Sequence, residues 1–324
     1  MNSKAIINKT GQGSLFLIFM FIVIAGFFAL MNRSFFTFSN FVDVLMRVSV
    51  TAPIATGIMF CLIVKGIDLS SGTVVGLVGI ILADMVKMGK PLVPGILLVL
   101  LIGSAVGAVD GLLIAKLNMN PFVATLAVMF VGLSFEKVIT QGGLPVYLHG
   151  SVNALSGIYR NHLLGVPIPI VILAVIVAAA YLISEKMVIG RRLRASGESI
   201  MGAMNAGIKV RLYFAGAYII SGFLAACSGI IVASQVQAGQ PLVGQSYLWD
   251  AIGAAYLSTT LSKYRRPNVF GTVFGAFFLS MVNNGLTLLG LPFYWKTFFN
   301  GLIILFILLV SAINRSFMQK ADRA

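Results

Sequence analysis

Six carboxylate and amide side chains stand within or beside long apolar runs: Asp68, Asp110, Glu136, Asp250, Asn283 and Asn284. A charged side chain at the centre of a bilayer costs about 2.5–3.5 kcal/mol on insertion scales, so such groups turn toward a bundle interior or a polar path. Their chemistry is that of hydrogen bonding: to a cargo, to a neighbouring helix, or to the start of a new helix. Asp68 and Ser70, in Gly66-Ile67-Asp68-Leu69-Ser70-Ser71-Gly72, are of the types that cap a helix, and a break in a span is also where a path runs. Asn283 and Asn284 suit interhelical hydrogen bonds, worth about 0.6 kcal/mol each in membranes, as well as they suit a path. Asp250 follows Tyr247-Leu248-Trp249, an aromatic cluster of the kind found at membrane interfaces. Asp110 and Glu136 fall near the ends of their runs, a poor position for a path. The candidate path residues are therefore Asp68, Ser70, Asp250, Asn283 and Asn284.

Other chemistries find no support. Cys61 and Cys227 each sit in an apolar run without CxxC spacing, and His149 and His162 share a long loop without a partner at ligand spacing, so neither a disulfide nor a metal site is expected. No GxxxxGK[ST] loop, HExxH pair or nucleophile elbow occurs, and an enzyme is not expected. There is no arginine-rich voltage-sensor helix and no Thr-Val-Gly-Tyr-Gly filter, which argues against a voltage-gated or potassium-type channel.

The elements that would hold these groups are membrane spans. The 324 residues are 59% hydrophobic and 10% charged, against about 25% charged in soluble domains, and a bilayer core about 30 Å thick needs about 20 apolar residues per helix. Ten apolar segments are expected, at about 14–31, 46–65, 70–87, 92–116, 121–140, 166–185, 211–234, 247–262, 268–289 and 297–314. Lys4 and Lys9 before the first run resemble a signal peptide, but the run is long and no small-x-small site follows it, so an uncleaved first span is expected.

The net charge of +14 sits in short loops rather than a solvated patch, which speaks for orientation and against nucleic acid. The polar interval with most charges is Glu185–Arg211, with Lys186, Arg191, Arg192, Arg194, Lys209 and Arg211. Placing it in the cytoplasm, with both termini inside, puts sixteen of the 23 Lys and Arg residues on that side, as the positive-inside rule requires. Its middle, Ser196 to Ala206, has the small and apolar composition of a short helix lying across the membrane face.

Two interruptions stand out, Gly66–Gly72 and Gly239–Gln245, the mark of broken helices around a translocation path. Asp110-Gly111-Leu112 and Pro121-Phe122 find loose counterparts in Asn284-Gly285-Leu286 and Pro292-Phe293. Spans two to five and seven to ten are thus expected to form an inverted repeat. The small-xxx-small pairs Gly103/Gly107 and Gly271/Gly275 are expected to pack helices within one chain.

Several short segments, in shared order, carry a resemblance. They are Phe35-Phe36-Thr37 with Asn40, Gly66-Ile67-Asp68-Leu69-Ser70 with Gly72, and Pro121-Phe122-Val123-Ala124-Thr125-Leu126. Gly190-Arg191-Arg192-Leu193-Arg194-Ala195, Asp250-Ala251-Ile252 and Asn283-Asn284-Gly285-Leu286-Thr287-Leu288-Leu289-Gly290 complete the set. Over nearly its whole length the chain resembles the membrane subunit of bacterial ATP-binding-cassette importers for ribose and related monosaccharides, within the superfamily that holds branched-chain amino acid permeases.

The resemblance implies an all-α polytopic fold forming one transmembrane domain over 1–324, with a cytoplasmic coupling helix in the loop at about 186–210. It implies sugar import across the bacterial inner membrane, with no cofactor in this chain and with ATP and magnesium in a partner subunit. The implied partners are an ATP-binding subunit, a periplasmic or lipid-anchored sugar-binding protein meeting outer loops such as 33–47 and 141–165, a second permease copy or paralogue, and membrane lipid. Carried over, the coupling contact falls on Ser196, Gly197, Glu198, Ser199, Ile200, Met201, Gly202, Asn205 and Gly207. Two departures stand out: Ile200-Met201-Gly202 replaces the family's Glu-Ala-Ala core, and Ser258–Asn268 lacks its usual glycines and gains three charges. A nucleoside, a sugar alcohol, a signalling furanose and an ion-coupled mode of transport are the alternatives.

Overall fold

A computed structural model describes residues 3–148, 154–262, 266–292, 294, 295, 297–303 and 305, with side chains from Leu17 onward. The helices are α1 (Ser3–Met31), α2 (Phe38–Ile63), α3 (Ser70–Lys87), α4 (Leu92–Ala115), α5 (Pro121–Ile139), α6 (Ser156–Arg160), α7 (Ile168–Tyr181), α8 (Val188–Glu198), α9 (Ile200–Asn205), α10 (Val210–Val236), α11 (Val243–Leu261) and α12 (Val269–Leu288). Among the described residues there are also four two-residue strands: β1 (Val146–Tyr147), β2 (His162–Leu163), β3 (Val166–Pro167) and β4 (Ala238–Gly239). β1 pairs antiparallel with β4, and β2 with β3.

Among the described residues seven helices are long and apolar enough to cross a membrane, in α2, α3, α4, α5, α7 with its π-helical extension Leu182–Lys186, α10 and α12. The apolar part of α1, Leu17–Met31, is shorter. α11 coincides with the expected eighth run but carries Gln245, Ser246, Asp250 and three hydroxyl residues near its end. The tenth expected run is described only as far as residue 305.

Local chemistry sets the boundaries. Thr37 opens α2 by accepting from Asn40 N, Asn120 caps α5 just ahead of Pro121 by accepting from Phe122 N, and Asn268 caps α12 by accepting from Gly271 N. Each satisfies a backbone donor that has no partner inside its helix.

Helices α2 and α10 form the centre. α10 packs on α2, α3 and α4, while α2 packs on α10, α11 and α12. The long buried stretch from Val48 through Phe60 on α2 has protein on all sides, as a helix with little polar face requires. α4 approaches α10 along Gly103, Gly107 and Gly111. A Cβ on Gly107 would lie 2.2 Å from Tyr218 O, and one on Gly103 would lie 2.6 Å from Gly222 O. The Gly271/Gly275 pair faces Ser258 and Ala254 of α11. Both small-residue patterns therefore serve packing within the chain.

Two ends of the bundle emerge. At one, Glu198 joins three loops: Lys65 Nζ donates to Glu198 O at 3.2 Å, and Arg266 pairs with the Glu198 carboxylate at 2.6 Å. At the other, Asn32 Nδ2 donates to Leu288 O at 3.0 Å and Leu148 N to Gln237 O at 3.1 Å. The loops that alternate in sequence thus gather at opposite ends.

Candidate functional site

Among the described residues the candidate path residues fall in three polar clusters, two buried and one half-buried. The first fills the break before α3. Asp68 Oδ1 accepts from Ser71 N in the first turn of α3 at 3.2 Å, and its Oδ2 accepts from Ser221 Oγ of α10 at 2.5 Å. Ser70 Oγ stands between two carboxylates, 2.8 Å from Asp68 Oδ1 and 2.6 Å from Asp110 Oδ2 of α4. Asp68, Ser70, Asp110 and Ser221 are all fully buried. Asp68 is thus both the expected cap and the knot that ties α3 to α4 and α10.

The second cluster centres on Asp250, near the middle of α11. Asp250 accepts from Asn283 Nδ2 of α12 at 3.0 Å and from Asn300 Nδ2 at 2.7 Å. The third begins one residue along α12, on another face: Asn284 Nδ2 donates to Asn40 Oδ1 at 2.5 Å, and Asn40 Nδ2 donates to Phe35 O at 2.8 Å. The adjacent asparagines therefore serve different partners, as a helix turning 100° per residue dictates.

A further buried carboxylate, Glu136 on α5, accepts from Thr73 Oγ1 of α3 at 3.0 Å and from Leu242 N at 2.7 Å. Despite its place near a span end in the sequence, it lies wholly in the interior.

The basic interval folds as two helices rather than one. Ser199 is extended, with φ −148° and ψ 107°, and its hydroxyl accepts from Gly202 N at 3.1 Å to start α9. Ser196 and Gly197 consequently belong to the end of α8 and face inward, where a Cβ on Gly197 would lie 2.0 Å from Ile63 O of α2. What faces outward is Glu198–Gly202 and Met204–Gly207, with Ile200, Met201 and Met204 each more than half exposed and Ala203 buried. Arg194 pairs with Glu185, and Arg192 donates to Tyr213 OH at 2.9 Å. These contacts fix α8 against the ends of α7 and α10. The outcome is a short apolar knob on a cationic face, a shape suited to seating in a partner's groove.

Residues 40–308 match the protein family described as branched-chain amino acid transport system / permease component. The chain belongs to this permease family. It is 35% identical over 286 residues to a ribose import permease protein of Haemophilus influenzae, covering 88% of each chain. It is 33% identical to that of Bacillus subtilis, covering 87% of each. A D-allose transport system permease protein of Escherichia coli is 27% identical over 91% of this chain and 90% of its own. No solved structure matches the chain.

Within this permease the expected path residues do not form one site. Asp68 and Ser70 share a cluster, Asp250 and Asn283 share another, and Asn284 belongs to the third. The sequence does not single out Ser221, Thr73 or Asn300, which bond these buried or half-buried groups, and Asn40 stands out only among the residues that carry the resemblance. A lone Ser, Thr or Asn in or beside an apolar run carries no signal of what faces it. Among the described residues no group of three His, Cys, Asp or Glu side chains could hold a metal ion. His149, Lys263 and Arg265 lie outside the described residues.

Proposed function

We propose that this chain is the multi-pass permease subunit of an ATP-binding-cassette importer in a bacterial inner membrane, carrying a ribose-like monosaccharide into the cytoplasm. The observation that carries the reading is the identity to ribose import permeases over nearly nine-tenths of both chains. The chain supplies a route and a lever, and a separate subunit binds and hydrolyses ATP. α9 is the lever: Ile200, Met201 and Met204 seat in that subunit, while Ser196 and Gly197 anchor it to the end of α2. The end bearing α8 and α9 faces the cytoplasm, and the loops at 33–47 and 141–165 meet a sugar-loaded binding protein outside.

Ten spans with an inverted repeat complete the proposal. In its support, α2 meets α11 and α12 much as α10 meets α3 and α4, the pairing that a two-fold relation between spans two to four and seven to nine would produce. Each half then supplies one interrupted helix, α3 or α11, and the route runs between them. A second permease, identical or paralogous, completes the assembly.

Relatives named for D-allose and autoinducer 2 keep other sugars and furanose signals as the competing cargo. The test is to capture the binding protein that docks on the purified, lipid-embedded permease, and to identify its ligand by mass spectrometry. Ribose or another pentose supports the reading. A ligand of unrelated chemistry, or ion-driven uptake by the chain alone in proteoliposomes, overturns it.

A further inference from the structure

At the end of the bundle away from α8, the chain leading into α11 is gripped from several sides. β1 pairs with β4, and Leu148 N donates to Gln237 O. Gly239 lies against Ile80 of α3, and Gly244 against Gly72. Between these points Leu242 begins α11 with φ +64°, a conformation that side-chain-bearing residues rarely adopt, and α11 has no side-chain cap of its own. Among the described residues the side chain that reaches Leu242 N is Glu136, from α5.

The surroundings fit that carboxylate closely. One oxygen receives Leu242 N and the other receives Thr73 Oγ1, so both acceptors are used. Gly76 leaves the room: a Cβ there would come within 2.5 Å of Glu136 Oε1. A negative group at the first turn of a helix is also favoured by the helix dipole.

We propose that Glu136 is a positioning residue for transport, fastening the first turn of α11 to α3 and α5 so that the outer segment 140–148 and the interrupted helix move as one body. Motion of that outer segment then reaches Asp250, on the same helix, and through it Asn283 of α12. The functional half of this inference rests on the transport reading above; the structural half does not.

The test uses the full chain in lipid nanodiscs, as wild type, Glu136→Leu, Glu136→Gln and Glu136→Asp, with hydrogen exchange followed over the peptide spanning 240–248. Loss of a buried hydrogen bond predicts exchange about ten-fold faster in Glu136→Leu. Glu136→Gln keeps wild-type protection, because its carbonyl accepts from Leu242 N while its amide donates to Thr73 Oγ1. Glu136→Asp, one methylene too short to span both donors, exchanges like Glu136→Leu. In the reconstituted importer, Leu and Asp lower the maximal uptake rate several-fold and leave the apparent KM for loaded binding protein unchanged, and Gln restores the rate.

Equal exchange in all four proteins overturns the proposal, as does Asp behaving like wild type, since charge alone would then suffice. If Glu136→Leu fails to fold, the Gln and Asp comparison decides. A wild-type chain that imports no sugar contradicts the transport reading and leaves the exchange comparison standing.

Discussion

At the scale of single residues, this membrane interior is held by close backbone approach and by a few satisfied polar groups. Gly107 shows the first: its neighbour across the interface is the backbone of Tyr218, only 2.2 Å from where a Cβ would be. Backbone cannot retreat as a flexible side chain can, so Gly107→Ala should cost about 1–3 kcal/mol of overpacking, seen as a lower melting temperature in detergent. An unchanged melting temperature would show that α4 and α10 do not pack this way.

Asp68 shows how far residue types speak for themselves. Its capping role was legible from the Gly-Ile-Asp-Leu-Ser-Ser-Gly run, because capping is local. Its bond to Ser221, 153 positions away, was not, because no local pattern encodes which helix will face it. Glu136 shows the same limit: its place near a span end carries no sign of its bonds to Thr73 and Leu242.

At the scale of elements, seven of the ten expected runs coincide, among the described residues, with helices long and apolar enough to cross a membrane, since apolar length is what a bilayer selects. The interval between α7 and α10 shows where that signal ends. Composition placed a short helix across the membrane face but not the break at Ser199, which arises from one hydroxyl starting α9. That break decides which residues are free to engage a partner. Bulky replacement of Gly197 would drive α8 off the end of α2 and test packing only. Ile200→Asp or Met201→Asp changes an exposed surface and should leave folding intact. Each should lower ATP-dependent uptake about ten-fold or more, the loss typical of a central contact in an interface, while the purified permease keeps its melting temperature. Undiminished uptake would remove α9 from the coupling contact.

At the scale of the whole molecule, alternate loops collect at alternate ends, and the cationic residues concentrate at one of them. The proposed orientation rests on charge counts in short loops. The pairing of α2 with α11 and α12, beside that of α10 with α3 and α4, supports the proposed repeat, for which the sequence offers only the faint likeness of Asp110-Gly111-Leu112 to Asn284-Gly285-Leu286. A structural repeat needs equivalent packing rather than equivalent residues.

The transport reading requires the Ser199 turn to face the cytoplasm, where a nucleotide-hydrolysing subunit can reach it. The direct measurement is labelling of Ser199→Cys with a membrane-impermeant thiol reagent, assigned by peptide mapping so that Cys61 and Cys227 are counted separately. No label at residue 199 in intact cells and full label in inverted membrane vesicles is the expected result. Label at residue 199 in intact cells would contradict the orientation, the docking face and the import mechanism together.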